Sequence, residues 1–186
     1  MLRPKSLLEK CKRGNRKALR AFYTMHKRDI FYTILKYCRR EEDAKDILQD
    51  SFIQIFRDLY QFDPERASLK TWMNRVAINC ALRYNHKNYP PGRHQVDFDD
   101  LDLVEEQVDV NKAAYSTREI LKMLQDLPDG YRSVFNLYVM EGYTHQEIAE
   151  YLGVSVGTSK SQLSKAKAML RGFLQKRKPM KITALL

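Results

Sequence analysis

The amino-acid sequence predicts an all-α protein of two small helical domains joined by an acidic flexible linker. Glycine and proline are scarce, 7 and 6 in 186 residues, and strand-like alternation is nearly absent. Apolar side chains instead recur at helical spacing over most of the chain. That pattern stops once, in "NYPPGRHQVDFDDLDLVEEQVDV", Asn88 to Val110, where Pro90-Pro91-Gly92 ends any helix and acidic residues cluster behind it. The organisation read from this is a first domain over residues 1–87, a linker over 88–112, a second domain over 113–175 and a basic tail over 176–186.

Charge divides the same way. Residues 1–87 hold 20 basic and 10 acidic side chains, residues 88–112 hold 2 and 7, and residues 113–186 hold 11 and 6. The chain as a whole is formally +10, which suits a polyanionic partner through long-range attraction and counterion release. No apolar run approaches the roughly 18 residues of a bilayer-spanning helix, so no membrane insertion is expected. The first residues, "MLRPKSLLEKCKRGNRK", lack the apolar core of a secretory leader. Cys11, Cys38 and Cys80 are odd in number and far apart, which fits neither a zinc ribbon nor a redox pair. Buried, reduced thiols in a cytoplasmic protein are expected.

Three helices are legible in the first domain. The first carries Leu19, Phe22, Tyr23, Ile30, Phe31, Ile34 and Leu35 in a basic background. The second runs from about Glu42 to Leu59, with Leu48, Phe52, Ile55, Phe56 and Leu59 as its buried stripe. On its other side lie Asp46, Gln49, Asp50 and Ile53, a compact acidic strip with one apolar residue. On a basic protein such a strip suits a basic protein surface better than DNA, although many acidic helix faces are merely solvated. The third helix follows a turn at Asp63-Pro64, is capped by Ser68, and takes Leu69, Trp72 or Met73, Val76, Cys80 and Tyr84 as its core face. Lys70, Asn74, Arg75, Asn79 and Arg83 make up the rest, near Trp72. Cations that follow a phosphate backbone, a ring for stacking and an amide for a base edge are what single-stranded nucleic acid requires. A lone tryptophan in a helix is more often core than stacking platform.

In the linker, His94, Asp97, Asp99 and Asp100 are chemically suited to a metal. They share one irregular stretch with no ligand on a rigid helix to fix geometry, so no metal and no cofactor is expected.

The second domain closes on "THQEIAEYLGVSVGTSKSQLSKAK", Thr144 to Lys167. Thr144 and Glu147 have capping-box spacing, Gly153 supplies a left-handed helix end, and Ser155 caps a second helix. Val156, Ser159, Leu163, Ala166, Leu170 and Phe173 predict its buried stripe, while Lys160, Ser161, Ser164 and Lys165 face outward. This is a helix-turn-helix pattern, with a small-polar and cationic face suited to a DNA groove.

Taken together, these segments resemble the sigma-70 family of bacterial transcription initiation factors, in its extracytoplasmic-function group. "EDAKDILQDSFIQIF" resembles the family's polymerase-binding helix of region two, and "SLKTWMNRVAINCALRYNHK" its promoter-melting helix. "LPDGYRSVFNLYVMEGYTHQEIAEYLGVSVGTSKSQLSKAKAML" resembles region four. The resemblance covers about residues 15–87 and 113–174, in the family's order. It implies that Asp46, Gln49 and Asp50, with Ile53 beside them, dock on the clamp of the largest subunit of core RNA polymerase. Trp72, Arg75 and Asn79, with Lys70 on the same helix, would open and read the −10 element, and Phe62 would lie near the expelled base. Lys160, Ser161, Ser164 and Lys165 would face the −35 major groove, Thr158 a phosphate at the helix start, and Gln162 the phosphate wall.

Implied partners are core RNA polymerase through clamp and flap, promoter DNA, and a membrane-linked anti-sigma factor. The implied activity is promoter-specific initiation without enzymatic chemistry. Two departures stand out. Family members often have valine where Ser159 stands, so its hydroxyl is expected to bond back to a carbonyl one turn earlier. They often have arginine where Gln162, Lys165 and Lys167 stand, so the planar two-pronged grip is absent. A stand-alone helix-turn-helix regulator, with a dimerising or ligand-sensing first domain, is the rival reading. It has no need of an acidic docking strip beside a Trp/Arg/Asn helix.

Overall fold

The computed structural model describes residues 4–89 and 115–176, which fall in two compact units divided between Pro90 and Pro91. Among the described residues there are helices and turns and no strand. Most of the linker, with His94, Asp97, Asp99 and Asp100, lies outside them, as does the tail from residue 177 onward.

The first unit has four helices. α1 spans Pro4–Lys12 and α2 Arg16–Leu35, where Asn15 caps by accepting from the Ala18 amide at 3.0 Å. α3 spans Glu41–Asp58, and its first-turn Glu41, Glu42 and Asp43 complement the positive end of the helix dipole. A 3₁₀ turn, Leu59–Gln61, leads to α4, Leu69–Asn88, which starts under the Ser68 cap at 3.1 Å from the Thr71 amide. α1 was not anticipated from the sequence. Its Leu7 and Cys11 are buried, and it packs on α2.

α2, α3 and α4 pack mutually around Phe22, Ile30, Ile34, Ile47, Ile55, Met73 and Ala77. Phe22, Phe52, Tyr23 and Phe56 meet in tilted and edge-on pairs with centroids 4.7 to 5.9 Å apart, the geometry that ring quadrupoles favour. The structure sets which residues lead each buried stripe. Ile47, one residue before Leu48, is the more buried in α3, and Met73 rather than Trp72 fills the core of α4. Asn85 donates to the Tyr37 carbonyl at 2.8 Å and ties the end of α4 to the end of α2. The three cysteines are free and buried, as expected.

The second unit begins with α5, Thr117–Gln125, held by a Ser116/Glu119 capping box. α6, Asp129–Phe135, runs into a π-turn, Asn136–Met140. α7, His145–Leu152, starts with the expected capping box of Thr144 and Glu147. Gly153 then adopts φ 67° and ψ 34°, the left-handed cap that a Cβ-bearing residue resists. α8, Val156–Lys176, starts where the Ser155 hydroxyl accepts from the Thr158 amide at 2.9 Å.

α8 packs on α6 and α7. Leu124, Leu127, Ala166 and Met169 form the core, flanked by Tyr131, Phe135, Leu170 and Phe173. Val156 departs from its expected place. It is 40% exposed, because the first turn of α8 runs past the body of the unit before Ser159 reaches it. Arg132 is 0% exposed, and its guanidinium donates to the Gln125 and Leu127 carbonyls at 3.1 and 2.9 Å and to the Asp129 carboxylate. It closes the α5–α6 turn by satisfying carbonyls that the end of α5 leaves open.

Candidate nucleic-acid interface

α3 presents Asp46, Gln49, Asp50 and Ile53 to solvent together. At about 100° per residue they share roughly one quarter to one third of the helix circumference. All four are exposed, and Ile53 is 57% exposed, an apolar side chain ringed by carboxylates and an amide. This arrangement fits a protein surface that is cationic with an apolar centre.

On α4 the same periodicity puts Trp72, Arg75 and Asn79 within about 60° of one another, with Lys70 about 160° round from Trp72. Trp72 and Asn79 are half-buried and Arg75 is exposed. Lys70 is exposed on the first turn but does not belong to the Trp72 strip. Asn74 is engaged inside the unit, where its Oδ1 accepts from the Thr33 hydroxyl at 3.3 Å. Phe62 is 6% exposed, with its ring 5.6 Å from that of Trp72 at an interplanar angle of 51°. In this conformation it is a floor under Trp72 and not a free stacking surface. The Lys12 ammonium reaches its carbonyl at 3.5 Å, so α1 also braces this corner.

On α8, Lys160, Ser161 and Ser164 are exposed within about 100° of arc. Lys165 is half-buried at their edge. Thr158 serves the cap, its hydroxyl 2.8 Å from that of Ser155. Gln162 stands apart from this group. It lies about 200° round from Lys160, is half-buried, and points into α6, where a Cβ added to Gly130 would stand 2.9 Å from its Nε2. It packs the helix against its own unit and does not line the outward face. The helical period places it with Ser159 and Ala166, three and four residues away on the buried side.

Ser159 also differs from expectation. It is 0% exposed and hydrogen-bonds His145 Nδ1 at 2.9 Å, across α7, rather than back along its own helix. His145 in turn stacks on Tyr138, with centroids 4.6 Å apart and an interplanar angle of 24°, and the Lys167 ammonium lies 5.9 Å from the Tyr138 centroid. In the sequence His145 stands between the capping-box residues Thr144 and Glu147, with no local pattern that marks its contact with Ser159. The available signal was Ser159, since a hydroxyl on a buried stripe requires a partner.

Among the described residues no group of acidic, histidine or cysteine side chains is placed to hold a metal ion, and no helix is long and apolar enough to cross a membrane.

A chain whose described residues are helices and turns, with an aromatic, amide and cation face on one unit and a helix-turn-helix on the other, defines a two-unit nucleic-acid-binding protein. Comparison with known proteins specifies it further. The model of sigma-70 region 2 matches residues 22–89, and that of sigma-70 region 4 matches residues 117–170. The ECF RNA polymerase sigma-E factor of Haemophilus influenzae is 25% identical over 94% of this chain and 96% of its own. The RNA polymerase sigma-H factor of Pseudomonas aeruginosa is 26% identical over 91% and 92%. The solved structure of the sigma factor RpoE of Bartonella quintana, in complex with the anti-sigma factor NepR, superposes with a TM-score of 0.53 at 18% identity over 87% of this chain and 99% of that one. The chain belongs to the sigma-70 family, in its extracytoplasmic-function group.

Proposed function

We propose that this sigma factor divides its work between its units. Residues 1–87 bind core RNA polymerase and open the −10 element, residues 113–175 grip the −35 duplex, and residues 88–112 join them. Asp46, Gln49, Asp50 and Ile53 dock on the clamp of the largest subunit. Trp72, Arg75 and Asn79 engage the −10 strand with Phe62 supporting the ring, and Lys160, Ser161 and Ser164 face the −35 groove with Lys165 at its edge. Lys70 and Thr158 remain at the rims, near phosphates. The polymerase performs the chemistry, so the sigma factor acts without enzymatic activity, in the cytoplasm where polymerase and template meet. The relative from Bartonella quintana is held by an anti-sigma factor, and by that likeness an anti-sigma factor controls this one, membrane-linked as the family resemblance implies.

The observation that carries the reading is the exposed acidic strip of α3 on a chain of net charge +10. It gives a DNA-binding protein one face that repels DNA and attracts a basic protein. Losing a charge pair at such an interface costs about 2–5 kcal/mol. The test is a pull-down of core polymerase with wild type and with the double variant Asp46→Lys and Asp50→Lys. Both positions are outward, so the fold is retained and association is lost. Undiminished assembly by the folded variant would refute the docking.

A further inference from the structure

We infer that His145 is a positioning residue for −35 readout. Its contact with Ser159 sets the rotation of α8 about its own axis, and with it which of Lys160, Ser161 and Ser164 meets which base. The inference rests on the assignment of α8 to the −35 duplex.

Much of the remaining seat of α8 is apolar, with Leu163, Ala166 and Met169 buried, and such contacts are less directional than a hydrogen bond. Near the start of the helix, where Lys160 and Ser161 project outward, a polar contact supplies the direction. Ser159 is fully buried and bound to His145 at 2.9 Å, a bond that weakens steeply with misalignment. Gln162, one turn on, lies against α6 at Gly130, its Nε2 2.9 Å from where a Cβ would stand there. α8 is thus held from α7 and from α6 at two points on one turn. His145 is itself fixed, at the first position of α7, by its stack on Tyr138 of the π-turn.

The leverage is geometric. With side chains included a helix is about 10–12 Å across, so a roll of roughly 20° carries an outward tip about 2 Å sideways. That displacement is enough to break a direct hydrogen bond to a base edge, while a lysine on a flexible stem still finds a phosphate. Loss of the bond therefore lowers selectivity among −35 sequences more than it lowers overall grip.

The experiment uses holoenzyme containing the full chain, a library of promoters varied at −35, and three variants. His145→Phe keeps a ring to stack on Tyr138 and removes the bond. Ser159→Ala removes the other partner without adding an atom. His145→Asn keeps a polar nitrogen near the place of Nδ1 and removes the ring. The expected result is a roughly five-fold or greater compression of the wild-type −35 preference in His145→Phe and Ser159→Ala, no further compression when these two are combined, and recovery in His145→Asn. Uniform weakening across the library, an unchanged ranking, equal loss in His145→Asn, or loss of the helical signal in either single variant would place the pair in stability alone and overturn the inference. Wild-type holoenzyme with no −35 preference would instead refute the assignment of α8.

Discussion

The Tyr89 hydroxyl donates to Asp43 Oδ2 at 2.9 Å, joining the last described residue of the first unit to the first turn of α3. Tyr84 donates to the other oxygen of the same carboxylate at 3.0 Å, and Arg40 donates to Asp43 at 3.3 Å and to the Tyr89 hydroxyl at 2.9 Å. Asp43 is buried, so its charge depends on these donors for the solvation that water would otherwise give. The network fixes where the chain leaves α4, next to the helix that carries the acidic strip.

Removing the acceptor should therefore loosen the whole corner. Asp43→Ala is expected to destabilise the first unit by about 2–4 kcal/mol, since bonds to a charged acceptor are the strong ones. Asp43→Asn, which keeps one acceptor oxygen, should lose less. Denaturant unfolding of both variants checks the order, and equal stability of Asp43→Ala and wild type would rule out the network as a fastening.

The same corner has a pH signature. Burial, then the bond to Asp43, pushes the Tyr84 phenol up from 10.0 to about 12, so the folded state favours the neutral hydroxyl. Its contribution is complete below pH 10 and is lost as the pH rises from there through about 12. Tyr84→Phe should show a flatter fall of stability across that window than wild type. A parallel fall in both would assign the alkaline loss to other groups.

Asn79→Ala tests the melting face. It should reduce open complexes on a closed promoter and be partly rescued on a template whose −10 region is already unpaired, because extruding a base costs a few kcal/mol (roughly, per base) that such a template has already spent. Permanganate reactivity of the −10 strand measures it. An equal defect on both templates would point to duplex contact or misfolding.

Gln162→Arg separates the sequence reading from the structure. On sequence alone, an arginine there adds one phosphate contact and steepens the salt dependence by roughly 0.9 in log–log slope. With Gln162 seated against Gly130 on the inner side, the expected result is an unchanged slope and a loss of about 1–3 kcal/mol from overpacking. Lys160→Ala, on the outward side, should flatten the −35 ranking by roughly 1–3 kcal/mol at its base pair. Salt titrations of holoenzyme binding decide, and a steeper slope for Gln162→Arg would mean that its side chain reaches DNA.

Arg132→Lys keeps a charge and loses the fork that serves two carbonyls and a carboxylate at once. A loss of about 2–4 kcal/mol in the second unit is expected, measured by thermal unfolding. A variant as stable as wild type would show that the α5–α6 turn closes without it.

Local chemistry was legible without coordinates. The Thr144/Glu147 box, the left-handed Gly153, the Ser68 and Ser155 caps and the outward Asp46–Asp50 strip each depend on neighbours a few residues away, and helical periodicity carries that information directly. What tertiary structure decided are contacts between helices. Leu48 and Ile47 are adjacent, as are Trp72 and Met73, and which of each pair is more buried depends on the facing helix. That Phe62 packs under Trp72 is likewise set by tertiary contact and not by the local sequence. α1 joined the fold because α2 offered its apolar residues a surface. Gln162 and Ser159 were read by their own helix alone, whereas their partners, Gly130 and His145, come from two other helices. A sequence period fixes which residues share a side of a helix; only the packing of the unit decides whether that side meets solvent, a backbone notch or another ring.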